Sequence, residues 1–169
     1  MTIDLMLDRD GTLIFDSGYL SSKNAVREII GVSEFLKRFA SQDCRLHVIS
    51  NQSGIARGLI SMEQFQEVNY AFEEAYRAKQ IIFDSINYCL HSENDNCICR
   101  KPKIGMLLGL RNKFNVDPKR TIVIGDKKTD VAMAKAFGCV GIQVSCNLFE
   151  LTRWEMIEQK IEKLRALKQ

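Results

Sequence analysis

The chain alternates short apolar runs with stretches of helical spacing, and several runs end in polar, glycine-marked loops. Residues 3–7 form the first run and read as a strand. A polar loop follows to about residue 24, long for a compact domain and therefore expected to be functional. Val32, Phe35, Leu36 and Phe39 fall at helical spacing, which predicts a helix from near Gly31 to near Ser41. Residues 45–50 read as a second strand, ending in the polar stretch 51–58. Ser61 and Gln64 have the spacing of a capping box, which opens a helix through Phe65, Val68, Phe72 and Ala75 to about Lys79. A third strand falls around residues 85–88, and an irregular segment runs on to Pro102. Residues 104–114 are helical, with Met106, Leu107 and Leu110 on the apolar side. Residues 121–124 are almost all β-branched, as suits a strand buried on both faces. The next helix carries Val131, Ala134 and Phe137 and closes at Gly138, a left-handed cap. A fifth strand at residues 140–144 and an amphipathic helix at about 148–167 complete the pattern.

Strands alternating with helices predict an α/β fold, a Rossmann-like parallel sheet with flanking helices, in a single domain spanning residues 1–169. In open sheets of this kind the ligand crevice borders the carboxyl ends of the strands. The first strand ends at Asp8, the second at Ser50 and the fourth at Asp126, so three polar loops are expected to meet on one edge.

Composition narrows the function classes. The 169 residues are 46% apolar and 27% charged, ordinary for a globular protein. A net charge of +3 and a pI near 8.5 are too mild for a nucleic-acid partner. The first residues lack the basic lead of a signal peptide, and no apolar stretch approaches the roughly 20 residues of a membrane helix. The expectation is a cytoplasmic protein without a membrane partner. Six cysteines in that setting read as reduced thiols or metal ligands, not as a disulfide framework.

The chemistry concentrates at the predicted edge. Asp8 and Asp10 lie two residues apart and share one face of an extended strand, and Gly11 lets the backbone turn so that both reach one site. Ser50, Lys101, Asp126 and Asp130 join them there. Singly, these are a polar turn, a surface lysine and helix-start acids favoured by the dipole. Converging carboxylates, however, repel one another unless a cation sits among them, and hard oxygen ligands suit Mg²⁺. Together with a lysine and backbone amides they form a cradle for phosphoryl transfer, with an aspartate available as nucleophile. Cys89, His91, Cys97 and Cys99 form a second cluster, C-x-H…C-x-C, which matches a closed tetrahedral Zn²⁺ site. The plainer alternative is three buried thiols and a loop histidine. Cys44, Cys139 and Cys146 read as small core residues, and His47 as a packed strand residue.

Asp8-Arg9-Asp10-Gly11-Thr12, Ser50, Lys101 and Gly125-Asp126 resemble, in order, the four motifs of the haloacid dehalogenase superfamily of phosphatases. The resemblance covers nearly the whole chain and implies a Rossmann-like fold with the first strand central. It implies that Asp8 is the phosphorylated nucleophile and that Asp10 is the acid and base. Ser50 and Lys101 would hold the phosphoryl group. Asp8, the carbonyl of Asp10, and Asp126 would ligate Mg²⁺, with Asp130 in support. The zinc loop running into Arg100-Lys101-Pro102 resembles the small capless branch containing heptose bisphosphate 7-phosphatases and histidinol-phosphate phosphatases. Asp16-x-Gly18-Tyr19, Asn51-Gln52-Ser53 and Gly125-Asp126-Lys127 favour the heptose group. That carry-over makes Asp16, Gly18, Tyr19, Asn51, Gln52 and Ser53 substrate-binding, with Arg100 and Lys127 at the remote end of a sugar bisphosphate. It also implies a monomer acting on a small phosphorylated metabolite.

Leu90 stands where both groups usually have proline, and Trp154-Glu155-Met156-Ile157 resembles the histidinol-phosphate enzymes, which remain the alternative. A polynucleotide 3′-phosphatase, which shares an Asn-Gln-x-Gly loop, is disfavoured by the zinc cluster and the mild charge. A non-catalytic zinc module is disfavoured by the joint retention of Asp8, Asp10, Lys101 and Asp126.

Overall fold

The computed structural model describes residues 2–40 and 43–166. Five strands, β1 (Ile3–Leu7), β2 (Cys44–Asn51), β3 (Ser85–Cys89), β4 (Thr121–Gly125) and β5 (Val140–Gln143), form one sheet in the order β3-β2-β1-β4-β5. Every neighbouring pair is parallel. The helices are α1 (Val32–Lys37), α2 (Met62–Arg77), α3 (Gly105–Phe114), α4 (Lys128–Phe137) and α5 (Leu151–Ala166).

The alternation along β1 divides the core in two. Ile3, Leu5 and Leu7 join a cluster with Val32 and Phe35 of α1, Val68 and Phe72 of α2, and Trp154 and Ile157 of α5. Met6 joins Met106 and Leu107 of α3 and Met133 and Phe137 of α4 in the other cluster. Helices on both faces explain why all five residues of β1 are buried. They include Asp4, whose carboxylate is compensated by Arg45 at 2.7 and 3.0 Å and by His47 Nε2 at 3.1 Å. His47 is packed as expected, its Nδ1 lying 2.8 Å from Ser85 Oγ.

The chain moves outward from β1 through β2 to β3, then returns to the other side of β1 for β4 and β5. The strand order therefore reverses at β1, and such a point opens a crevice at the carboxyl ends of the strands.

Local signals hold at the helix ends. Ser61 Oγ accepts from Gln64 N at 3.2 Å while Gln64 Oε1 accepts from Ser61 N at 2.8 Å, completing the capping box. Gly138 caps α4 with φ 85°. Helix α1 ends at Lys37, earlier than its spacing predicts. Arg38 N and Phe39 N bond to Phe35 O and Leu36 O, so the last turn tightens and still buries Phe39. Ser41, the expected end, lies outside the described residues, as does Leu167 at the end of the tail helix. That helix starts at Leu151 because the preceding turn is tied to the first loop: Asn147 N donates to Gly11 O at 3.0 Å. Cys146, expected in the core, is exposed on this turn, and Cys44 and Cys139 are half-buried.

Candidate active site

The carboxyl ends of β1, β2 and β4 deliver the predicted cluster to one place. Beyond β1 the backbone turns at Gly11 (φ 83°), and a Cβ there would sit 2.6 Å from Asp126 Oδ2. A glycine is thus required both by the turn and by the approach of the β4 loop. Gly125 is equally constrained, because a Cβ would lie 2.3 Å from Asp130 Cγ.

Lys101 is the hub of the floor. Its Nζ lies 2.8 Å from Asp8 Oδ1, 2.6 Å from Asp130 Oδ1 and 3.0 Å from Ile49 O. Burial works against its charge, but Asp8 and Asp130 hold its pKa above the ordinary lysine value. Asn51 clamps the Lys101 backbone at two points, accepting from its N at 3.0 Å and donating to its O at 3.2 Å. Asp8 Oδ1 also accepts from Arg9 N at 2.8 Å.

Asp8, Asp126 and Asp130 present oxygens that all lie within 4.8 Å of one another. Burial, then the Asp8 charge, pushes the Asp126 carboxyl up to about 6, and its buried Oδ1 has no hydrogen-bond partner among the described residues. Three carboxylates against the one ammonium of Lys101 leave two negative charges on this floor. The other carboxylates nearby are paired: Asp10 with Arg9, Asp16 with Lys127, and Glu93 with Arg100 and Arg57. An orphaned carboxylate oxygen and two uncompensated charges fit a divalent cation with oxygen ligands.

Asp10 is held on a fork. Arg9 Nη2 reaches its two oxygens at 3.1 and 2.9 Å, and Gln52 Nε2 donates to its Oδ2 at 2.5 Å and to Ser50 Oγ at 3.0 Å. Above this floor opens a cavity of about 410 Å³. Asp10, Asp16, Gly18, Tyr19, Asn51, Gln52, Ser53, Arg100, Lys101 and Lys127 line it, so it gathers every residue expected to bind substrate. Asp8, Ser50 and Asp126 lie buried beneath. The two expected remote cations are already engaged, Lys127 with Asp16 at 3.0 Å and Arg100 with Glu93.

The second cluster sits at the end of β3. Cys89 Sγ lies 3.7 Å from Cys97 Sγ and 3.3 Å from Cys99 Sγ, and His91 Nδ1 lies 3.6 and 3.3 Å from Cys89 and Cys99. A tetrahedral zinc with bonds of about 2.3 Å to sulfur and 2.0 Å to nitrogen would separate its ligands by about 3.8 Å (S to S) and 3.5 Å (S to N). These four separations lie within about 0.5 Å of those of such an ion, and all four ligand atoms lie within 4.8 Å of one another.

Several site residues escaped the sequence reading. Arg9 is 1% exposed, reaches Asn69 Oδ1 at 2.5 Å and lies 5.5 Å above the Tyr88 ring. Arg9 stands inside the Asp8-Arg9-Asp10-Gly11-Thr12 motif, which gives it no role of its own. Thr129 lines the cavity and Cys146 groups with Asp126 and Asp16, neither marked by any motif. Among the described residues, no helix is long and apolar enough to cross a membrane.

Known proteins are similar to this chain in sequence and fold. Residues 98–162 match the family described as HAD-hyrolase-like. The D-glycero-beta-D-manno-heptose-1,7-bisphosphate 7-phosphatase of Haemophilus ducreyi is 36% identical over 144 residues, covering 79% of this chain and 78% of the relative. The histidine biosynthesis bifunctional protein HisB of Actinobacillus pleuropneumoniae is 34% identical over 93% of this chain, which spans 43% of that protein. Among solved structures, the D,D-heptose 1,7-bisphosphate phosphatase of B. bronchiseptica, complexed with magnesium and phosphate, superposes with a TM-score of 0.78 at 29% identity, covering 83% of this chain and 79% of that one. With its parallel sheet, its strand-end acids and these relatives, the chain belongs to the haloacid dehalogenase superfamily and is a phosphoric monoester hydrolase.

Proposed function

We propose that the protein removes the 7-phosphate of D-glycero-D-manno-heptose 1,7-bisphosphate through an aspartyl phosphate on Asp8. The observation that carries this reading is the charge pattern. An acidic floor short of two positive charges lies under a polar cavity that also holds Arg100 and Lys127. The floor suits a metal-assisted phosphoryl transfer, and the cations suit a second anionic group on the same substrate.

Asp8, the Asp10 carbonyl and Asp126 would hold Mg²⁺, with Asp130 in support. When bound, the ion offsets the excess negative charge and polarises a phosphoryl oxygen. Asp8 Oδ1 is held by Lys101 and by Arg9 N, so Oδ2 is the oxygen available to attack phosphorus. Asp10, a carboxylate in its resting pair with Arg9, takes up a proton from solvent before turnover and gives it to the sugar oxygen as the bond from phosphorus to that oxygen breaks. Asp10, now a carboxylate, takes a proton from water, which attacks the acyl phosphate and releases inorganic phosphate and free Asp8. Arg9 and Gln52 keep the Asp10 carboxylate in place for both steps. Lys101 and Ser50 hold the transferring phosphoryl group. Cys89, His91, Cys97 and Cys99 would hold a structural Zn²⁺, which would order the segment carrying Arg100.

A second reading, histidinol phosphate as substrate, draws on the match to the bifunctional HisB protein. Phosphate release with Mg²⁺, measured side by side on both compounds, separates the two. The heptose reading expects kcat/KM at least about tenfold higher for the bisphosphate, and an equal or reversed preference transfers the assignment to histidinol phosphate. Asp8→Asn is expected to abolish turnover of either, and residual activity in that variant overturns the covalent mechanism.

A further inference from the structure

Glu93 ties together three loops at the cavity mouth. Its carboxylate bonds both to Arg57, in the loop after β2, and to Arg100, which follows Cys99 directly. Arg57 Nη1 in turn donates to Tyr19 Oη at 3.0 Å, reaching the loop after β1. Arg100 lines the main cavity, whereas Glu93 and Arg100 together line a neighbouring cavity of about 360 Å³. The Glu93 carboxylate thus lines the neighbouring space and bridges two guanidinium groups, one of which, Arg100, also reaches the main cavity.

The two ion pairs beside the cavity are not equivalent. The Asp16 side chain is 21% exposed, and its Oδ1 also accepts from Gly18 N at 2.9 Å, so the pair with Lys127 is built into the turn. The Glu93 side chain is 54% exposed, with open volume beside it. An exposed pair of this kind contributes little and exchanges readily for another anion. A phosphate offers more oxygens to two arginine forks than a carboxylate does, and carries more charge.

We infer that Glu93 is a resident carboxylate in an anion subsite formed by Arg57 and Arg100, and that the remote phosphate of a bisphosphate substrate displaces it. Glu93 thereby sets the preference between bisphosphates and monophosphates. An ester without a second anion leaves Glu93 where it is. This inference rests on the phosphatase reading and adds Arg57 to the cations that meet the substrate.

The test uses the full chain with Mg²⁺ and para-nitrophenyl phosphate as reporter substrate. Fructose 1,6-bisphosphate and fructose 6-phosphate serve as competing ligands. Glu93→Gln keeps the shape and removes the charge. It is expected to lower the inhibition constant of the bisphosphate about three- to tenfold relative to that of the monophosphate. Arg57→Gln is expected to raise the same ratio. If Glu93 were only a tie between loops, both substitutions would break the tie and move the ratio the same way, which overturns the inference. An unchanged ratio in either variant also overturns it. Because the ligands are fructose phosphates, failure here is distinct from failure of the heptose assignment, which is read by turnover of heptose bisphosphate.

Discussion

Replacing Lys101 with methionine probes the charge balance of the floor most directly. The Lys101 side chain is 2% exposed, and its two carboxylate partners, Asp8 and Asp130, are 4% and 1% exposed. Methionine preserves the stem but leaves both acids without their ammonium at 2.8 and 2.6 Å. Breaking one partner out of a buried ion pair costs about 3–5 kcal/mol, because the remaining charge stays buried and uncompensated. In a domain of this size each kcal/mol moves Tm by about 2–4 °C, so Lys101→Met should melt roughly 6–20 °C lower. Thermal unfolding followed by circular dichroism near neutral pH, without added divalent cation, reads this change. The decisive arm adds Asp130→Asn. In the wild-type background that substitution removes a partner of Lys101 and destabilises. In the Lys101→Met background it removes a stranded charge and should recover part of the lost stability, while the asparagine can still accept from Lys127 N as Asp130 Oδ2 does at 3.1 Å. A Lys101→Met protein melting within about 2 °C of wild type, or a double variant less stable than Lys101→Met alone, would refute the reasoning. Phosphatase activity of Lys101→Met should fall about 10²–10³-fold, the usual cost of losing one electrostatic contact to a transferring group.

Two further outcomes follow from the geometry. Protein purified without chelators should carry one zinc per chain, and Cys97→Ser should lower both zinc content and Tm, since a structural metal contributes folding free energy; elemental analysis finding no zinc in the wild-type protein refutes the assignment. At high pH the buried Tyr76 governs part of the stability. Its hydroxyl donates to Leu13 O at 2.8 Å, and burial, then Glu28 and Glu34, hold its pKa well above the ordinary 10. Above pH 10 the unfolded chain releases this proton while the folded chain keeps it, so stability falls as pH rises. Urea midpoints at pH 9 and 11 should therefore decline less in Tyr76→Phe than in wild type, although that variant starts about 1 kcal/mol lower for the lost hydrogen bond; equal declines place the titrating group elsewhere.

The elements and the reactive clusters were legible because their signals are local. A β-branched run such as residues 121–124, a Ser61–Gln64 box or a glycine after Phe137 acts through its immediate neighbours on the chain. The Cys89–Cys99 segment holds all four of its candidate ligands within eleven positions, so spacing alone brought them into view. Asp8, Ser50 and Asp126 are far apart in sequence, yet their convergence follows from parallel strands sharing one carboxyl edge.

What could not be read this way depends on side chains meeting across elements. Which loops face each other at the cavity mouth is set by the placement of β4 beside β1 and by the packing of helices on each face. The tie from Tyr19 through Arg57 and Glu93 to Arg100 spans three loops and leaves no periodic trace. Arg9 looks like any charged residue in a turn until Asp10, Asn69 and Tyr88 close around it. Cys146 looked like core because small apolar residues near a strand usually are, whereas a turn tied to Gly11 turns it out beside Asp126. Hydrophobic period and turn chemistry constrain the chain over a few residues, which suffices for elements, edges and clustered ligands. The pairing of charges depends on distances between elements remote in sequence, and those are settled only when the sheet and its helices have packed.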